Sequence, residues 1–248
     1  MKIFRYLALL MLFSLLSACA STQRFDTSTA EGSFALAEKY QSDGRFEEAI
    51  NQFNDVRNRH PYSRLAVEAR LRVADIHFAR KSFAEAQAAY QVFKELHPRH
   101  PRIDYVTFQL GMSYFNQLPS TIDRDLSLAS QAMLFFSEVQ RSFPQSEYVE
   151  QAKAKHTELE KMLAEKEHYI AHFYFIRRRY QSALGRFERL WRQHQDLGFD
   201  LKALYGAAVS AHRIQDYEKA DYYLKILSHQ FPEAPETYQA QQELARRS

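Results

Sequence analysis

The chain has 248 residues, enough for one large domain or two modest ones around a packed core. Six glycines stand against 19 phenylalanines, 15 tyrosines and one tryptophan, which argues against a strand-rich protein or a glycine-loop nucleotide binder and for large rings wedged between helices. The formal charge of +3 falls almost to neutrality if Lys2 and Arg5 are lost with a leader, a balance that excludes a non-specific nucleic-acid binder.

Residues 1–18 read as an export signal. Lys2 and Arg5 make a positive start, and Tyr6 to Leu16 is an apolar run of signal-peptide length, too short to span a bilayer. Leu16-Ser17-Ala18-Cys19 follows, and it resembles the lipobox at which a cysteine is acylated and becomes the new N-terminus. Cys19 is the chain's one cysteine, so it has no disulfide partner within the chain and cannot join a multi-thiolate zinc site. A free thiol behind an ordinary signal and an uncleaved anchor are the competing readings. Several acyl chains at ~0.8 kcal/mol per buried methylene would hold the protein to a membrane. Residues 19–30, small and polar, read as a lipidated flexible tether.

From Glu31 the pattern is helical, and it repeats. Four helices are expected to end at His60-Pro61, His97-Pro98, Phe143-Pro144 and Phe231-Pro232. Twelve residues before each proline stands an alanine: Ala49, Ala86, Ala132 and Ala220. Eight before stand Phe53, Tyr90, Phe136 and Leu224; five before stand Val56, Phe93, Val139 and Leu227. Preceding helices carry Leu36-Ala37 with Tyr40, Val73-Ala74 with His77, Leu110-Gly111 with Tyr114, and Ala207-Ala208 with Ala211. A further unit without the proline keeps Ile170-Ala171, Tyr174, Tyr180, Ala183, Phe187 and Leu190. This is the tetratricopeptide pattern of paired antiparallel helices, which predicts an all-α repeat solenoid of about five units. Small residues belong where the helices cross, because a larger side chain there overpacks at ~1–3 kcal/mol. Proline ends the second helix, and Asp43-Gly44 and Gln215-Asp216 supply turns within units.

One interval is stretched. Tyr114 and Ala132 are 18 residues apart where the other units show 9. The extra stretch, 116–127, carries Pro119 and Asp123-Arg124-Asp125, and a long charged helix is expected between Phe143 and His168. This predicts two lobes, 31–115 and 128–248, on either side of the inserted loop.

Arg177-Arg178-Arg179 is followed by Arg186, Arg189 and Arg192, the last three recurring every third residue along one side of a helix. Such a stripe is either a solvated helix face or a docking surface for an acidic partner, since arginine pairs bidentately with carboxylates. His168 and His172, four apart, could hold a metal, but Tyr-Ile-Ala lies between them where a zinc protease needs its glutamate, and they read as repeat-helix residues; His97 and His100 flank Pro98 in a turn and read the same way. No phosphate loop, nucleophile elbow or cysteine pair is present, so neither enzymatic activity, cofactor nor metal is expected. A cell-wall hydrolase would need paired carboxylates or a metal site that the sequence does not offer.

A lipobox followed by five such repeats resembles the BamD family, the lipoprotein component of the outer-membrane β-barrel assembly machinery. The resemblance spans essentially the whole chain. Its most specific parts are Pro98-Arg99-His100-Pro101-Arg102-Ile103-Asp104-Tyr105-Val106, leading to Leu110-Gly111, then Asp123-Arg124-Asp125, and Phe143-Pro144-Gln145-Ser146-Glu147-Tyr148. The resemblance implies a lipid-anchored protein at the periplasmic face of the outer membrane, Ala20 not being the aspartate that commonly retains bacterial lipoproteins at the inner membrane. It implies docking on the central barrel protein, BamA, with Arg186 at a position where the family places an arginine facing that partner. It implies engagement of unfolded outer-membrane proteins by the first lobe, with His60, Tyr62 and Arg64 as candidate contacts, and other assembly lipoproteins as further partners. A pilotin-like lipoprotein escorting secretin subunits would share fold and compartment; only the motif segments speak against it.

Overall fold

The computed structural model describes residues 25–246, and the signal sequence and Cys19 lie outside them. Among the described residues there are helices and no strand. In chain order they are α1 (Ala30–Ser42), α2 (Phe46–Arg59), α3 (Arg64–Ala79), α4 (Phe83–Leu96), α5 (Ile103–Phe115), α6 (Ser127–Ser142), α7 (Val149–Ile176), α8 (Tyr180–Gln193), α9 (Asp200–Arg213), α10 (Tyr217–Gln230) and α11 (Pro235–Ala245). The chain divides into two compact units, one ending at Ile76 and the other beginning at His77.

In the first unit α1 packs on α2, and α3 up to Ile76 completes a core of Phe34, Ala37, Phe53, Val56, Val73 and Ile76. The start of α1 is held by Thr29, whose hydroxyl accepts from the Gly32 N–H at 3.1 Å, and by Asp26, whose carboxylate accepts from both the N–H and the hydroxyl of Ser28.

The second unit is a run of helices packed in sequence order: α4 on α5, α5 on α6, and so on to α11. Here the repeat alanines do what their spacing predicts. Ala86, Ala132 and Ala183 are fully buried and Ala220 nearly so, as are Ala171 and Ala208 on the partner helices. Gly111 shows the constraint most clearly: a Cβ there would meet the Phe136 ring at 2.8 Å. Gly206 is the equivalent contact between neighbouring repeats, where a Cβ would stand 2.4 Å from the Phe187 ring.

Turns inside the units share one geometry. Gly44, Lys81, Arg178 and Gln215 occupy the same repeat position, all with positive φ (75, 62, 59 and 66°). The residue after each donates its N–H to a carbonyl five residues back: Arg45 to Tyr40, Ser82 to His77, Arg179 to Tyr174 and Asp216 to Ala211, at 2.9–3.0 Å. Three of the four therefore place a side chain where glycine is favoured. The corners between units also match. His60, His97, Phe143 and Phe231 all sit near φ −130°, ψ 55°, the conformation a following proline permits. His194 adopts it with Gln195 behind it, so local packing sets this corner even without the proline.

The helix α7 has 28 residues and is about 42 Å long at 1.5 Å per residue. Its first half buries Ala152 and Leu159 against Phe108, Phe136 and Val139; its second half buries Ala164 and Ala171 in the core formed with α8 to α11. The inserted loop ahead of α6 is held to this helix, with the Lys166 ammonium donating to the Arg124 carbonyl. Leu126 is buried beside it, and Asp125 accepts from the Ser127 N–H at 2.9 Å.

Two substitutions test this reading by chemical denaturation. Gly206→Ala should cost ~1–3 kcal/mol, because the added methyl has nowhere to go but into Phe187. Lys81→Gly should raise stability by ~0.5–1 kcal/mol, the left-handed strain relieved exceeding the entropy that glycine adds to the unfolded chain.

Candidate interaction surfaces

The arginines of α8 are exposed or half-buried, and each is engaged within the chain. The Arg186 Nη1 lies 3.2 Å from both carboxylate oxygens of Glu167 on α7, and the Arg189 Nη1 lies 3.8 Å from one of them. Arg192 turns away to Glu188 on its own helix, at 3.1 Å. Glu188 is buried and also takes the Lys219 ammonium at 3.2 Å and the Tyr223 hydroxyl at 3.0 Å, both from α10. Spacing alone suggests a single stripe of three; the structure separates it into two clusters, each organised by a glutamate that is only 12% exposed.

The electrostatic consequence is an uneven balance. Four cations, Arg186, Arg189, Arg192 and Lys219, stand around two shielded carboxylates, with the Asp216 carboxylate a third acceptor 4.0 Å from Lys219. Glu167 and Glu188 fix the direction of the side chains, and the guanidiniums keep donors facing solvent: Arg189 and Arg192 are 51% and 62% exposed. A pre-oriented guanidinium loses less side-chain entropy on meeting a further carboxylate than a free one. Glu188 and Arg192 are four apart on one helix, a spacing that signals their pairing, but Glu167 stands 19 residues from Arg186 on another helix and the sequence offers no signal for that one.

His60, Tyr62 and Arg64 all fall at the corner between α2 and α3. His60 caps α2 through its backbone, with its N–H on the Val56 carbonyl. Its Nε2 is buried and has no hydrogen-bond partner. Tyr62 is the most exposed of the large apolar side chains, at 101%, and Arg64 is exposed as well. With Thr29, Glu31 and Arg59 this corner lines an open cleft.

The motif segments around Asp104 and Ser146 prove to be partners of one another. The Ser146 hydroxyl donates to the Asp104 carboxylate at 2.6 Å; Tyr148 stacks on Phe108 at 5.1 Å between ring centres and lies 5.7 Å from Tyr105. Arg102 lies over the Tyr105 ring at 4.5 Å. Two corners are thereby tied together, which is a structural task. His97 and His100 both pack on the Phe93 ring, at 5.0 and 5.1 Å, and His168 and His172 lie 6.0 Å apart on α7. Among the described residues no group of three or more His, Cys, Asp or Glu is placed to hold a metal.

Comparison with known proteins adds the following. The family model YfiO, described as "Outer membrane lipoprotein", matches residues 27–204, and a tetratricopeptide-repeat model matches 174–235. "Outer membrane protein assembly factor BamD" of Caulobacter vibrioides is 28% identical over 189 residues, covering 76% of this chain and 62% of the relative. The protein of that name from Neisseria meningitidis serogroup A is 25% identical, covering 89% of this chain and 88% of the relative. That of Rickettsia prowazekii is 26% identical, covering 76% and 74%.

The Glu188 cluster yields a prediction. Burial, and then the Glu188 carboxylate, push the Tyr223 hydroxyl well above the usual tyrosine range. Protonated Tyr223 is therefore the form the fold stabilises: its contribution is complete below pH ~10, where unfolded tyrosine titrates, and fades as pH rises beyond that. Tyr223→Phe should cost about 1.5–3 kcal/mol at neutral pH, the usual worth of a hydrogen bond to a charged group, and should flatten the alkaline limb of a stability–pH curve.

Proposed function

The chain belongs to the YfiO family of outer membrane lipoproteins, and from that premise we propose that it works as an outer membrane protein assembly factor, as its relatives are named. The role is that of a scaffold rather than an enzyme: helices stacked unit on unit present faces for other proteins. Lipidation at Cys19 would fix it to the outer membrane, with the repeats on the periplasmic side. No helix among the described residues is long and apolar enough to cross a membrane. The match spans 62% of the Caulobacter relative and 88% of the Neisseria one.

The docking partner in this reading is BamA, the central barrel-assembly protein. What carries the proposal is the cationic excess on α8, three arginines oriented by two shielded glutamates, which suits an acidic surface and speeds encounter with it. The cleft at His60 and Tyr62, with Arg64 exposed beyond it, is proposed to receive an extended segment of an unfolded outer-membrane protein. The exposed Tyr62 ring offers such a segment a flat apolar contact beside the cleft. The lobes at 31–115 and 128–248 would then divide the work, substrate on the first and assembly partner on the second.

Charge reversal is the test. Arg186→Glu adds a second carboxylate beside Glu167 and should weaken recovery of the barrel partner from native membranes by about tenfold or more, with the helical signal unchanged. Arg186→Gln should give a smaller loss. Unchanged affinity at moderate salt, or recovery of the lipoprotein with no barrel partner in gentle detergent, would overturn the proposal.

A further inference from the structure

A second site stands apart from the surfaces above. Helices α7, α9 and α11 enclose a cleft of about 340 Å³. Its floor is aromatic: Phe175 lies 5.8 Å from Phe187 and 6.4 Å from Tyr205, ring centre to ring centre. Gly206 lines the same cleft, where the Phe187 ring packs directly against its backbone and closes the floor.

The rim is polarised. At one end are His168 and His172 from α7 and Lys202 from α9; at the other Tyr205 lies in the field of Glu236 and Glu243 from α11. Glu243 is paired with Arg213, and on α7 beside His168 Glu167 is taken by Arg186 and Lys166 by the Arg124 carbonyl. By contrast the side chains of His168, His172, Lys202 and Glu236 make no hydrogen bond or ion pair with any described residue. Convergent polar groups left unpaired around an apolar floor are the usual mark of a ligand site.

We propose that this cleft binds a protein segment in which a glutamate or aspartate side chain stands beside a large apolar one. The apolar side chain lies on Phe175 and Tyr205, and the carboxylate meets Lys202 and the histidine pair. The backbone N–H groups next to it face Glu236. The site does not depend on the assembly role.

Burial, then Lys202 and His172, hold His168 below the usual histidine range in the free protein. An arriving carboxylate reverses that pressure, so the complex takes up protons and affinity rises as pH falls.

The test uses the full chain and a blocked peptide, Ac-Ser-Glu-Phe-Ser-NH2, with the glutamine analogue as control. The expected result at about pH 6 is binding about tenfold tighter for the glutamate peptide, an advantage that shrinks towards pH 8. The His168 ring resonances of the unmodified protein should titrate at higher pH when the peptide is present, a readout that needs no variant. Lys202→Gln, at an exposed position, should lower affinity about tenfold without moving the thermal midpoint. Equal affinity for the glutamine peptide, histidine titration unchanged by peptide, or no effect of Lys202→Gln would each overturn the proposal. So would binding that appears only with a free C-terminal carboxylate.

Discussion

Two helices approach closely only where something small lies between them, and the rest of this protein is arranged around that limit. Helix axes in contact lie about 8–10 Å apart, depending on the side chains at the crossing. Ala37, Ala49, Ala132, Ala183 and Ala208 are completely buried. At Gly111 and Gly206 even a methyl group would collide with a ring of the facing helix. Once the small residues fix the approach, the large ones have determined places: Phe53, Tyr90, Phe136 and Phe187 all stand four residues after a repeat alanine, and all are buried. The repeat is thus a volume rule, small against large at alternate contacts, applied several times along the chain.

That rule is why so much of the fold can be read from sequence. A residue selected for its volume recurs at a fixed interval, and interval is what a sequence displays directly. Turn geometry follows another rule and is legible only in part. Gly44 announces a left-handed residue, whereas Lys81, Arg178 and Gln215 adopt the same conformation with nothing in their chemistry to declare it. The backbone hydrogen bonds they allow outweigh the local strain, and those bonds appear only in the folded chain.

Charges are less legible still. The spacing of Arg186, Arg189 and Arg192 is plain to see and points to one helix side. What they do depends on Glu167 from the preceding helix and on Glu188, which also receives Lys219 and Tyr223 from α10. Surface ion pairs add little to stability, but a shielded acceptor with several donors fixes where those donors point. His60 shows the opposite situation: its place at a repeat corner follows from the proline after it, while its unsatisfied nitrogen is visible only in three dimensions. The segments around Asp104 and Ser146 carry the family resemblance in sequence, and only the folded chain shows that they bind each other.

The shared helix α7 has a consequence for how this protein comes apart. An array of repeats held only by neighbour contacts can fray, losing units from either end while the middle persists. Here one uninterrupted helix passes from the core around Phe136 into the core around Phe187. Neither can melt without cutting backbone hydrogen bonds that the other still holds. The joint that would ordinarily be weakest has been made continuous, so these two cores should open as a single cooperative block.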